Sequence, residues 1–66
     1  MNKVTIEKIT NPYNSFVKYI FRDGKGEEIT TMEYYRKISD AEVIGSFKML
    51  FGFIPQIRNA NIVMAS

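Results

Sequence analysis

Phe16-Val17-Lys18-Tyr19-Ile20-Phe21-Arg22, followed by Asp23-Gly24-Lys25-Gly26, is the stretch from which this chain can be read. In an extended conformation Val17, Tyr19 and Phe21 share one face, and Phe16, Lys18, Ile20 and Arg22 share the other. One face is wholly apolar and the other mixed, the pattern of a strand with one side on a core. Asp-Gly tolerates the positive φ of tight hairpins, so residues 23–26 are expected to turn the chain back. Residues 28–35 then pair as a third strand. Thr30-Thr31-Met32-Glu33 also carries a capping-box pattern that would open a short helix instead.

Upstream, Val4, Ile6 and Ile9 among Thr, Glu and Lys suit a half-buried strand. Asn11-Pro12-Tyr13-Asn14 reads as a turn, because proline supplies the φ of the second turn position. Downstream, Ser39-Asp40-Ala41-Glu42 predicts a helix start: a serine cap with Glu three residues later, and Ile38 set to staple onto Val43. Asp40 and Glu42 place negative charge at the positive end of the helix dipole. Val43, Ile44, Phe47, Leu50 and Phe51 form one apolar stripe. Gly52 is expected to end the helix in a left-handed conformation, and Pro55 to prevent its resumption. Residues 56–66, with Ile57 and Ile62-Val63-Met64-Ala65, contain one charge and read as a final strand that would be an aggregation hazard if unpaired. The expected fold is therefore a small α+β domain over residues 1–66: three to four strands in an antiparallel-dominated sheet, order β-β-β-α-β, with one α-helix on one face.

The chain holds no histidine and no cysteine. Zinc sites, Ser-His-Asp or Cys-His machinery and thiol redox chemistry are thereby removed. Seven carboxylates, nine Lys/Arg and four Tyr remain. Asp40 and Glu42 are accounted for by capping, and Glu27-Glu28 flank a loop. Gly24-x-Gly26 lacks the Gly-Lys-Ser/Thr of a phosphate loop. No enzyme, metal or cofactor is expected. A 66-residue domain buries only about 60% of its unfolded surface and usually needs a staple. Disulfides are impossible and no calcium-loop pattern is present, so a homodimer is the expectation. With 24% charged and 45% apolar residues and a net charge of +2, the composition is that of an ordinary globular protein. Met1 to Ile9 shows no signal-peptide pattern and no apolar run approaches a membrane span, so the cytoplasm is the expected compartment.

Two surfaces are candidates for binding. Tyr13, Arg22, Lys25, Tyr34, Tyr35, Arg36 and Lys37 gather around the hairpin and third strand in sequence, with Tyr19 beside them. Tyr and Arg combine large contact area with a polar end, and also suit stacking on bases. The plainer reading makes Tyr19 and one of Tyr34 or Tyr35 core and the bases a solvated face. The second surface is a helix sector of Ala41, Gly45, Lys48 and Gly52, where an interior glycine costs roughly 1 kcal/mol against alanine. That cost is explained if a partner or second copy approaches the backbone there; otherwise Gly45 is tolerated drift.

Phe16-Val17-Lys18-Tyr19 matches the end of the aromatic strand motif of RNA-recognition domains. Pro12-Tyr13-Asn14-Ser15 matches none of what should precede it, and a second helix is not signalled, so that family is set aside. The overall plan is similar in outline to small accessory proteins encoded by bacteriophages and mobile elements, a likeness of architecture without a diagnostic motif. The expected function is a non-enzymatic protein-binding module that inhibits or redirects a larger host or defence protein. The alternative is a small oligomer that sequesters an anionic nucleotide or single-stranded nucleic acid through Tyr, Lys and Arg. No membrane partner is expected.

Overall fold

The computed structural model describes residues 2–65. Four strands, β1 (Lys3–Asn11), β2 (Phe16–Arg22), β3 (Glu28–Tyr34) and β4 (Asn61–Met64), form one sheet in the order β3-β2-β1-β4. Between β3 and β4 lie the main helix α1 (Asp40–Phe51) and a single turn, α2 (Pro55–Arg58). The protein has an α+β fold, mostly antiparallel: β1 pairs with β2 and β2 with β3 in opposite directions, while β4 joins β1 in parallel. A parallel pair needs a crossover of a dozen or more residues. Residues 35–60 supply it, carrying the chain from one edge of the sheet over its inner face to the other.

The core lies between that face and α1. Val4 and Ile6 from β1, Val17, Tyr19 and Phe21 from β2, and Val43 and Phe47 from α1 are buried together. Phe21 and Phe47 stack with centroids 4.2 Å apart and planes 3° from parallel, and Phe51 extends the stack at 5.1 Å. Each such side chain contributes roughly 1.5–3 kcal/mol on burial, so sheet and helix stabilise each other through very few residues. The first strand departs from expectation at Ile9, which is exposed. Side chains alternate, so Val4 and Ile6 share the inner face with Lys8, and Ile9 falls on the other. The helix stripe is narrower than its spacing suggests. Ile44 and Phe51 flank Val43 and Phe47, but Leu50 lies outside the contact and is exposed.

Local chemistry explains most boundaries. Ser39 caps α1, its hydroxyl accepting from the Glu42 N–H at 3.1 Å, while the Glu42 carboxylate turns to Arg36, 4.0 Å away. Residues 28–34 form a strand and not the alternative short helix, with a register shift after Phe21. Ile29 stands within that shift and reaches the core. The hairpin is longer than an Asp-Gly turn. The Asp23 carboxylate accepts from the N–H groups of Lys25 and Glu27, and Gly26 takes the positive φ, +85°, where Gly24 was expected to. Gly52 also differs from expectation: its φ of −68° is right-handed. Its N–H donates to the Lys48 carbonyl at 2.7 Å, and a Cβ would collide with that same oxygen. Glycine is needed there for close approach. Pro55, expected to keep the chain from helix, instead occupies the start of α2, where its missing N–H costs nothing. Ile57 therefore reaches the core from a helical turn, and the final strand is confined to residues 61–64. Ser66, included in the expected final strand, lies outside the described residues. No helix among those described is long and apolar enough to cross a membrane.

Candidate functional site

The connection between β1 and β2 is held by two asparagines. Asn11 Oδ1 accepts from the Tyr13 N–H at 2.9 Å, and Asn14 Oδ1 accepts from the Phe16 N–H at 3.1 Å. Ser15 closes the turn at φ +59°, the one non-glycine residue with positive φ among the described residues. Asn and Ser side chains favour such local bonds, which is why this stretch turns. The turn presents Tyr13 almost free in solvent, at 94% exposure.

The end of β3 arrives beside it, because Val17 pairs with Tyr34. Strand alternation then separates the two adjacent tyrosines. Tyr34 turns inward and meets Tyr19 edge-on at 6.2 Å; Tyr35 turns outward, 71% exposed, against Phe16 at 5.1 Å. The Arg36 guanidinium sits 5.8 Å from the Tyr34 ring centroid and donates to the Lys37 carbonyl. A groove of about 240 Å³ runs between these segments, lined by Lys8, Thr10, Asn11, Ser15, Phe16, Arg36 and Lys37 together with Tyr19. Three cations thus face one shallow depression with hydroxyl and amide groups around it.

Behind the groove, Tyr19 and Lys8 both donate to Asp40 Oδ1, at 2.8 and 3.0 Å. The Tyr19 hydroxyl and then the Lys8 ammonium hold the Asp40 carboxyl below the ordinary carboxylate value. Asp40 in turn raises Lys8 above its ordinary value. Burial, with the bond to Asp40 next, pushes the Tyr19 phenol upward. All three shifts move away from neutrality. Arg36 faces Glu42, but no carboxylate among the described residues comes within ion-pairing distance of Lys37.

Of the residues expected to form one patch, Tyr13, Tyr35, Arg36 and Lys37 share this end of the sheet, with Tyr34 half-buried beneath them. Arg22 and Lys25 do not. They lie at the opposite end of β2, about 20 Å away by strand rise. Arg22 is held by Glu7 and the Gly26 carbonyl, each at 3.4 Å, and Lys25 borders a separate cavity of about 350 Å³ with Lys3, Asp23, Glu27 and Gln56. Lys8, Thr10 and Ser15 escaped the sequence reading. The predicted turn at Asn11 was the available signal, since it brings the end of β1 against the start of β2. For Asp40 there was none, because 32 residues separate it from Lys8.

The helix sector is on the surface as expected: Ala41, Gly45 and Lys48 are exposed, and nothing comes within 4 Å of where a Gly45 Cβ would be. Sequence reasoning missed its apolar neighbours Met49 and Phe53, at 85% and 75% exposure; Leu50, expected in the buried stripe, is exposed on another side of the helix. No group of three or more His, Cys, Asp or Glu side chains among the described residues could hold a metal ion. No protein-family model matches the chain, and neither the curated proteins nor the solved structures give a significant match.

Proposed function

We propose that this chain is a non-enzymatic binding module whose sheet end, centred on Tyr35, Arg36 and Lys37 with Tyr13 beside them, grips an acidic segment of a larger protein. The observation that carries this reading is the exposure of Tyr13 and Tyr35 at the end of the sheet where Arg36 and Lys37 line a groove, Lys37 without a carboxylate partner among the described residues. Interface hot spots are built from such residues, because a rigid ring and a polar end act together. The titration behaviour agrees. A general base or acid works best with a pKa near operating pH, and Tyr19, Lys8 and Asp40 all shift the other way. Small size and the lack of catalytic groups fit an accessory protein of the kind bacteriophages and mobile elements encode, one that inhibits or redirects a host or defence protein. A cysteine-free chain suits the cytoplasm.

The second reading is capture of an anionic nucleotide or single strand, favoured by the three groove cations. The magnitude argues against it: 240 Å³ falls below the roughly 300–1,000 Å³ of most small-molecule sites. Lys8 is also already engaged by Asp40. The test is affinity capture of tagged protein from native-host lysate, followed by mass spectrometry. One stoichiometric protein partner, lost in the Tyr35→Ala/Arg36→Ala variant, is the expected result. Co-purified material absorbing strongly at 260 nm, or affinity for single-stranded nucleic acid that falls steeply with salt, would favour the second reading.

A further inference from the structure

We infer that the outward face of α1 is a self-association surface on which a second copy of this chain packs antiparallel, Met49 of each copy entering the space above Gly45 of the other. Ala41, Gly45 and Met49 recur every four residues on the side of α1 opposite Val43 and Phe47, and Phe53 continues the spacing just past the helix end. Such i, i+4 rows are the ridges by which helices interdigitate. This ridge runs small, small, large, large. Its steric complement is its own reverse, which sets Ala41 opposite Phe53 of the partner subunit and Gly45 opposite Met49 of the partner subunit. A twofold axis then satisfies both halves with one patch, and the assembly closes as a dimer.

The space and the surface are both present. A Cβ on Gly45 would meet no atom within 4 Å, so the helix backbone is open to close approach. Met49 and Phe53, 85% and 75% exposed, leave on the order of 300 Å² of apolar surface in water on this side, the size at which a monomer's largest patch is commonly functional. Two copies burying it, with the neighbouring small residues, approach the roughly 1,000 Å² total that specific interfaces need. Glu42 and Lys48 flank this ridge on either side and fall at the solvated rim of the contact, and antiparallel packing opposes the two helix dipoles.

The experiment is sedimentation equilibrium from low to high micromolar concentration. Wild type is expected at twice 7.7 kDa, and Gly45→Glu and Met49→Lys at the monomer mass with unchanged circular dichroism. Should Gly45→Glu fail to fold, Met49→Lys decides, since that side chain lies outside the core. Because the chain contains no cysteine, orientation can be read directly. A mixture of Gly45→Cys and Met49→Cys chains should cross-link on mild oxidation. Ala41→Cys alone should not, since antiparallel packing sets the two positions about 18 Å apart along the axis and a disulfide spans less than about 7 Å. A monomer throughout the range, a dimer that survives both charged substitutions, or self-cross-linking of Ala41→Cys would each overturn the inference.

Discussion

The phenol of Tyr19 donates a 2.8 Å hydrogen bond to the carboxylate of Asp40, joining the middle of β2 to the first residue of α1. Lys8 adds a second bond from β1 to the same oxygen and lies 5.7 Å from the Tyr19 ring. Three elements meet at one carboxylate, which fixes the angle at which the helix enters and lies behind the basic groove. Asp40 therefore does more than complement the helix dipole.

The two sides of that bond should differ in cost. Tyr19→Phe removes a donor and leaves Asp40 with Lys8 and solvent, a loss of about 1 kcal/mol. Asp40→Ala strands the Tyr19 hydroxyl beneath the helix and removes the Lys8 pair, for about 2 kcal/mol. Urea denaturation of both variants checks the order; equal costs would mean that water replaces the carboxylate freely.

Stability should decline at both pH extremes through this cluster. Asp40 titrates lower in the folded state, so its contribution is present above its ordinary value of 3.8 and lost as pH falls through the folded value. Lys8 and Tyr19 titrate higher, so their contributions are present below about 10 and lost as pH rises through their folded values. Lys8 and Asp40 are 37% and 44% exposed, so solvent and salt keep the effect modest. Asp40→Asn should flatten the acid limb of denaturation midpoint against pH; an unchanged limb would place the acid sensitivity elsewhere.

Gly45 and Gly52 should respond oppositely to alanine. At Gly45 the new methyl meets no atom of its own chain, so in protein dilute enough to be monomeric, relief of backbone entropy should stabilise the fold by about 1 kcal/mol. At Gly52 the methyl collides with the Lys48 carbonyl, so Gly52→Ala should lower the melting temperature. Thermal unfolding of the two variants under one buffer decides, and equal signs would contradict the geometry.

Partner affinity should concentrate at the sheet end. Tyr35→Ala with Arg36→Ala is expected to cost more than about 2 kcal/mol of binding while the fold persists, since both side chains are exposed. Lys3→Ala, at the other end of β1, should be nearly silent. Isothermal titration with the captured partner measures both.

Removal of residues 61–66 should unfold or aggregate the protein. It strips β4 from β1, exposing Val4 and Ile6, and takes away the half-buried Ile62. A truncated chain with unaltered circular dichroism and melting temperature would show that the edge strand is dispensable.

Much of the architecture is legible in the residues because it is local. Alternation over 16–22 defines β2 to the residue, and the Ser39 cap with its apolar spacing defines α1. The separation of Tyr34 from Tyr35 follows from strand period alone. The errors arise where a neighbour decides. Ile9 and Leu50 are apolar and near the right spacing, yet no facing element covers them. Gly52 and Pro55 carry the expected breaker chemistry but act through a close carbonyl and a new helix start.

By itself, then, the sequence determined the first three strands, the helix that starts at Ser39 and which catalytic chemistries lack their residues, since these depend on side-chain type and short-range periodicity. The turn of helix at Pro55–Arg58 was not legible in it. Tertiary structure alone decided that β4 runs parallel beside β1, that Lys8, Tyr19 and Asp40 share one hydrogen-bonded point, and that the aromatic–basic residues divide between two ends of the sheet. The reason is geometric. Contacts between residues 21 or 32 positions apart depend on strand order and on the path of the crossover, and neither leaves a periodic mark in the chain.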